Sequence, residues 1–183
     1  QDMDDETSPF QVNLGYQVPD DKDADYVGKA ELERQRDAIE NGDFPFTHKL
    51  VGLKMAGEPI RDYAPDFWLV SDPETGDECG YLTSAWWNPE LETNIGLGFV
   101  PAAKLQAATD VPLDDSIYDA DVDAEFEVHL PDEYAEEPGE PVYATVAKVP
   151  FKESVNPSAR EQAKIHARDD MNDSGSRSSG ERE

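Results

Sequence analysis

The stretch that most constrains this chain is Gly80 to Pro101, GYLTSAWWNPELETNIGLGFVP. From Asn94 to Val100 it alternates sharply: Ile95, Leu97 and Phe99 share one face, and Asn94, Gly96 and Gly98 share the other. A period of two over seven residues is a strand, not a helix. Glycines gathered on one face of a strand mark a bulge or the close approach of another backbone or a ligand. Gly80–Ser84 alternates more weakly, and the Asn88-Pro89 turn signal comes after it, so the stretch reads as strand, turn, strand. Trp86 and Trp87 are expected in the connection between the two strands.

The same period recurs on both sides. Val51, Leu53 and Met55 alternate from Lys49 to Met55, and Phe67–Ser71 is a short apolar strand. Ala124, Phe126, Val128 and Leu130 alternate with Glu125, Glu127 and His129, which predicts a strand with one wet face. Val142–Val149 is the last strand. Six strands are expected between residues 48 and 149, with turn signals at the spacing of a small antiparallel barrel or sandwich. Ala102–Gln106 is expected as one helical turn and 108–120 as acidic loop. Before the strands, residues 27–41 read as a helix on composition and on the Asn41-Gly42 stop. Phe10–Val18 reads as a short strand at the end of a larger domain. The organisation expected is therefore 1–45 as the end of a preceding α+β domain, 46–151 as a barrel and 152–183 as a tail. In the tail, Ser158 to Glu161 form a capping-box pattern ahead of a short helix over 159–170, and the Ser-Gly-Arg-Glu run beyond Asn172 predicts disorder.

Charge decides which partners this chain excludes. Its 42 acidic residues against 15 Lys and Arg give a net charge of -27 over 183 residues. Self-repulsion on this scale opposes a compact state. Molar salt shortens the Debye length to about 3 Å and largely removes the repulsion. The balance fits a cytoplasmic protein of a halophile and excludes nucleic-acid binding through a basic groove. Cys79 is the only cysteine, so no disulfide forms within the chain, which fits a reducing compartment. No apolar run approaches the ~18 residues of a membrane span. The chain opens on Gln1, which reads as a processed product or a fragment.

Searched for chemistry, the residues offer binding groups more readily than catalytic ones. His48, His129 and His166 have no ligand-like spacing to one another or to Cys79, so no metal site is expected. Cys79 sits among small residues with no activating partner and reads as an inert thiol. No nucleophile elbow is present, and Gly96-x-Gly98 lacks the third glycine and following helix of a dinucleotide loop. Of the two tryptophans, at least one is a candidate to stack on a planar heterocycle or to close a pocket; packing over a barrel end is the alternative. Arg61, in a loop between strands, is a candidate for pairing with a carboxylate ligand, or else neutralises an acidic surface.

Three islands of sequence resemble the glycine cleavage T-protein family, in order and in spacing. The first is Asp4 to Ala30, with DETSPFQVNLGYQV followed by DYVGKAEL. The second is His48-Lys49-Leu50-Val51-Gly52-Leu53, which is similar to an Arg-Arg-x-Val-Gly-Leu strand of the family. The third is the Gly80–Pro101 stretch, extended to Ala147-Lys148-Val149-Pro150-Phe151. The Asp66-Phe67-Trp68-Leu69-Val70 segment leans toward the branch that resembles dimethylsulfoniopropionate demethylases. The resemblance implies a six-stranded barrel at the C-terminal end of an aminomethyltransferase. It implies tetrahydrofolate as cofactor, and as one-carbon donor either a glycine-derived aminomethyl group or a methylated sulfonium or amine, with a carrier protein as a further candidate partner. The family's catalytic Asp, and the Glu that holds the pterin, would lie N-terminal to this chain, so no catalytic residue is expected within it. By the same resemblance Trp87 takes the place of a folate-facing Tyr, and His48 and Lys49 match an Arg pair of which one contacts folate; the cofactor-binding set is then Trp87, His48, Lys49 and Arg61. Gln11 stands where the family has Glu. The rival expectation is a freestanding, non-catalytic barrel that binds a ligand or a protein.

Overall fold

Six strands close into an antiparallel barrel in the computed structural model, which describes residues 3–19, 24–61, 67–129 and 140–151. They are β1 (His48–Met55), β2 (Trp68–Ser71), β3 (Glu78–Asn88), β4 (Thr93–Pro101), β5 (Glu125–His129) and β6 (Pro141–Ala147). Around the barrel the order is β1-β4-β3-β2-β5-β6, and β6 returns to β1. Helix α1 (Lys29–Glu40) precedes the barrel, and the six-residue α2 (Ala102–Ala107) comes directly after β4. The acidic stretch after α2 contains a 3-10 helix, Asp115–Asp119. The chain divides into units 1–151 and 152–183; all described residues lie in the first. The helix expected over 159–170 and the tail lie outside the described residues.

The interior is built from the alternation. Val51, Leu53 and Met55 of β1, Val70 of β2, Leu82 of β3, Val100 of β4, Phe126 and Val128 of β5 and Ala144 of β6 form one buried cluster. The glycine face of β4 points into it. A Cβ at Gly96 would lie 2.6 Å from the Ser84 carbonyl oxygen and 2.9 Å from Leu82 Cδ2, and one at Gly98 would lie 3.0 Å from Leu82 Cδ1. The close approach read from the glycines is thus the barrel's own filling, because a six-stranded barrel leaves little room inside its wall. On the outer face Phe99 and Leu50 are buried with Val12 of the N-terminal segment.

The barrel corrects two expectations. Trp86 and Trp87 do not lie between strands: β3 runs on through Asn88, with Trp86 opposite Ile95 and Trp87 opposite Asn94. Residues 88–92 suffice to make the turn. Asn88 Oδ1 accepts the N–H groups of Glu90 and Leu91, and Glu92 takes φ 50°. Tryptophan favours a pleated surface, so nothing stops the strand before Asn88.

The second correction concerns Phe10–Val18, which is a run of turns ending in the 3-10 helix Gly15–Gln17 and not a strand. Its amides bond locally, Gln11 N–H to Ser8 O and Leu14 N–H to Pro9 O, and Asn13 takes φ 58°. The segment still covers a sheet edge. β6 pairs with β1 only from Gly52 to Met55, which leaves the edge at residues 48–51 unpaired by any strand. There Leu50 donates its N–H to Gln11 O, Asn13 Nδ2 donates to Leu50 O, and Gln11 Nε2 donates to His48 O. An edge left open is a template for other chains, and this strap closes it.

The helix, expected over 27–41, is α1 and stops where Asn41-Gly42 predicted. Gly42 takes φ 81° and donates to Ile39 O. It buries Ile39 and Gln35, and Gln35 Oε1 accepts from Ser8 Oγ at 2.6 Å, tying helix to strap. Val27, within the expected span, precedes the helix and is exposed.

Candidate functional site

A one-residue irregularity in β3 shapes the wall on which the aromatic residues stand. The register with β4 runs Leu82 opposite Gly98 and then Ser84 opposite Leu97, so Thr83 is an extra residue. Its Oγ1 donates to Leu97 O at 3.1 Å. A bulge of this kind shifts the side-chain alternation by one. Before it, Leu82 points inward; after it, Ala85 and Trp87 share the side of Gly96 and Asn94, and Trp86 is turned outward with half its surface exposed.

Beside the bulge is a cleft of about 410 Å³, lined by Trp68, Leu82, Thr83, Ser84, Ala85, Trp86, Ile95, Gly96, Leu97 and Phe151. None of these side chains ionises. The volume is within the range of small-molecule sites, and two hydroxyls among aromatic and aliphatic walls can bind and orient a planar, largely apolar group. Such walls have no group for moving a proton.

Trp87 and the connection that carries Arg61 meet at one end of the barrel. Asn94, opposite Trp87, is also opposite Met55, the last residue of β1. The connection leaving β1 folds back over this end: Ile60 donates its N–H to Asn94 Oδ1 at 2.9 Å, and Ile60 O accepts from Trp87 N–H at 3.0 Å. Arg61 is the next residue and is exposed.

His48 and Lys49 stand at the other end. His48 begins β1, seven residues before Met55, which at the rise of an antiparallel strand is roughly 23 Å away. Both side chains are engaged. His48 Nε2 lies 3.0 Å from Cys79 O and its Nδ1 3.0 Å from Thr47 Oγ1. Lys49 is wholly buried, its Nζ donating to Phe10 O at 2.7 Å and lying 5.4 Å from the centre of the Phe44 ring. Burial pushes its amine down to about 8, against the opposing pull of the Asp115 and Asp114 carboxylates. Asp115 in turn accepts the N–H groups of Gly15 and Tyr16, so Lys49 and Asp115 hold the strap from two sides. The structure thus ties the residue before Arg61 to Trp87 at one end, and sends His48 and Lys49 to separate partners at the other.

Elsewhere, His129 and Cys79 have structural surroundings. Ser71 Oγ and His129 Nε2 lie 2.9 Å apart with Ser71 buried. Burial first, then the nearby Asp72 carboxylate, raises the Cys79 thiol above its usual range and keeps it protonated. Among the described residues no group of three His, Cys, Asp or Glu side chains could hold a metal ion, and no helix is long and apolar enough to cross a membrane. Asn94, which orders the Trp87 end, does not stand out in the sequence; its one signal is a polar residue on a face otherwise made of Gly and Val.

The fold and the aromatic cleft define a class: a small closed antiparallel barrel domain with an aromatic cleft on one wall. Residues 48–152, more than half of the chain, match the model of the glycine cleavage T-protein C-terminal barrel domain. The chain belongs to that family. It is 39% identical over 102 residues to an aminomethyltransferase of Parasynechococcus marenigrum (strain WH8102), covering 56% of this chain and 25% of that protein. It is 34% identical over 114 residues to an aminomethyltransferase of Synechococcus sp. (strain CC9902), covering 62% and 28%. The fold resembles the crystal structure of glycine cleavage system aminomethyltransferase T from Bartonella henselae, with a TM-score of 0.53, 22% identity, and coverage of 82% of this chain and 34% of that one. The chain spans about a quarter of the length of the curated relatives it matches.

Proposed function

We propose that this barrel is the folate-facing C-terminal part of a tetrahydrofolate-dependent one-carbon transferase that moves an aminomethyl or methyl group. One observation carries the reading: in a barrel of this family, Trp87 stands on the strand pair that bears the cleft of about 410 Å³, and the connection carrying Arg61 is tied to it through Ile60. The residues suit the cofactor. The Trp87 indole offers a stacking face, and Arg61 offers a fork for a carboxylate. The cleft beside Trp86 offers a dry wall. Tetrahydrofolate, when bound, supplies the amine that accepts the one-carbon unit. This chain's own share is to orient and to exclude water, which are the terms that matter when reacting groups are held at short range. Folate contact is assigned to Trp87 and Arg61 and not to His48 and Lys49, whose polar atoms are engaged within the fold. The acidic surface sets the working medium at molar salt, in the cytoplasm of a salt-adapted cell.

The test is made on the full gene product in molar KCl. Tetrahydrofolate binding is followed by calorimetry and by tryptophan quenching, and transfer is assayed with glycine-derived and methylated sulfonium donors side by side. Saturable binding, weakened about tenfold in Trp87→Ala, is the expected result, the loss of one aromatic stacking partner being on the order of 1 kcal/mol. Equal affinity in the variant removes Trp87 from the site. Absence of both binding and transfer leaves the rival expectation, a non-catalytic barrel.

A further inference from the structure

Asn94 is wholly buried on the inner face of β4, where every neighbour along that face is Gly or Val. Its amide is directed at neither adjacent strand's backbone. Oδ1 accepts the Ile60 N–H at 2.9 Å, and Nδ2 donates to Glu58 O at 2.9 Å and Ala56 O at 3.3 Å. All three partners belong to the connection between β1 and β2. Ile60 O then accepts the Trp87 N–H, and Trp87 stands opposite Asn94 across the β3–β4 pair. The contacts form a closed circuit from the Asn94 side chain to Ile60, to Trp87 and back. A buried amide is costly unless its groups are paired, and a leucine of the same size would fill the space without that cost. What the amide adds is a fixed position for the connection, and Arg61 is the next residue along it.

We infer that Asn94 is a positioning residue that fixes the connection carrying Arg61 at the Trp87 end of the barrel and thereby sets the affinity of this end for its carboxylate-bearing ligand. The inference rests on the folate reading. A planar guanidinium engages a carboxylate through two parallel hydrogen bonds only when it is well placed. Freeing the connection removes that placement while leaving Arg61 itself intact.

A double-mutant cycle on the full gene product in molar KCl tests this, with tetrahydrofolate as the probe and calorimetry as the readout. Arg61→Ala and Asn94→Ala each weaken binding about tenfold, and the double variant binds no more weakly than the weaker single one. A purely structural role for Asn94 would not produce that non-additivity. Wild-type affinity in Asn94→Ala, or two losses that multiply in the double variant, overturns the inference. If Arg61→Ala and Trp87→Ala both bind like the wild type, the folate reading falls instead, and this inference with it. Should Asn94→Ala fail to unfold cooperatively, Asn94→Asp is read in the same cycle. It keeps the acceptor for the Ile60 N–H and loses both donors, and the same non-additivity with Arg61→Ala is required of it.

Discussion

Replacing Lys49 by methionine should stabilise the protein at neutral pH and destabilise it in alkali. Lys49 is charged, wholly buried, and hydrogen-bonded through its Nζ to Phe10 O. Its amine is pushed from 10.5 to about 8 in the folded protein, first by burial. A lowered amine pKa is a cost to folding. Below pH 8 the amine is protonated in both states and the cost is fully present. Between pH 8 and 10.5 the folded protein has released the proton that the unfolded chain still binds, so stability rises with pH. Above 10.5 neither state is charged and the cost is gone. The shift corresponds to about 3 kcal/mol at pH 7. Methionine has nearly the same length and no charge, so it removes this cost, but it leaves Phe10 O without its donor, a loss of about 1 kcal/mol. Lys49→Met should therefore be the more stable protein by about 2 kcal/mol at pH 7 and the less stable by about 1 kcal/mol near pH 10.5. Urea unfolding followed by tryptophan fluorescence, at constant KCl and at several pH values between 7 and 10.5, measures the difference directly. Other groups that titrate in this window are common to both proteins and cancel. A stability difference that stays constant across the window would refute the reasoning, because it would mean that burial does not lower the Lys49 amine.

The interior of the barrel and its surface give further tests. Gly96→Ala directs a methyl group to within 2.6 Å of the Ser84 carbonyl oxygen, and a loss of about 1–3 kcal/mol in urea unfolding is expected. Asp115→Ala removes the acceptor of the Gly15 and Tyr16 N–H groups and should cost about 1–2 kcal/mol. Proteolysis should then begin within the strap, whereas an unchanged cleavage pattern would show that the strap is held elsewhere. Thermal midpoints should climb steadily from 0.1 M to 2 M KCl, as screening relieves a net charge of -27; a flat profile would show that the acidic surface is neutral to folding.

What can be read from the chain is what a period of two can carry. β1, β4 and β5 alternate without interruption, and the sequence shows both their existence and their faces. The glycine face of β4 is legible as a close approach, although only the closed barrel shows that Leu82 and Met55 are what approaches. Read from sequence, β3 stops at Ser84 because the extra Thr83 breaks the alternation at that point, and a broken period looks like the end of a strand. The strap misleads for the opposite reason: Val12, Leu14 and Tyr16 alternate, but the first two amides bond to Pro9 O in turns and the third to the Asp115 carboxylate. Site residues are least legible of all. Adjacent positions such as His48 and Lys49 suggest one shared role, whereas strand geometry sends one ring to Cys79 O and the other side chain into a buried tie. Asn94 acquires its importance from partners 34 to 38 residues away in sequence, which no local pattern records.

Thr83 leaves the barrel with a strand of two phases. Upstream of it even-numbered residues face the interior; downstream the odd-numbered ones do. The two neighbouring indoles face opposite sides because a strand alternates, and the extra Thr83 three and four positions before them lets that alternation run on without a slip in pairing. Deleting Thr83 would make Leu82 and Ser84 consecutive opposite Gly98 and Leu97, so the bulge would close with Trp86 still outward and Trp87 still inward. The extra residue is thus slack in the strand: the chain can lose it and keep this wall as it is, where a deletion in a strand of regular register would turn every following side chain to the opposite face.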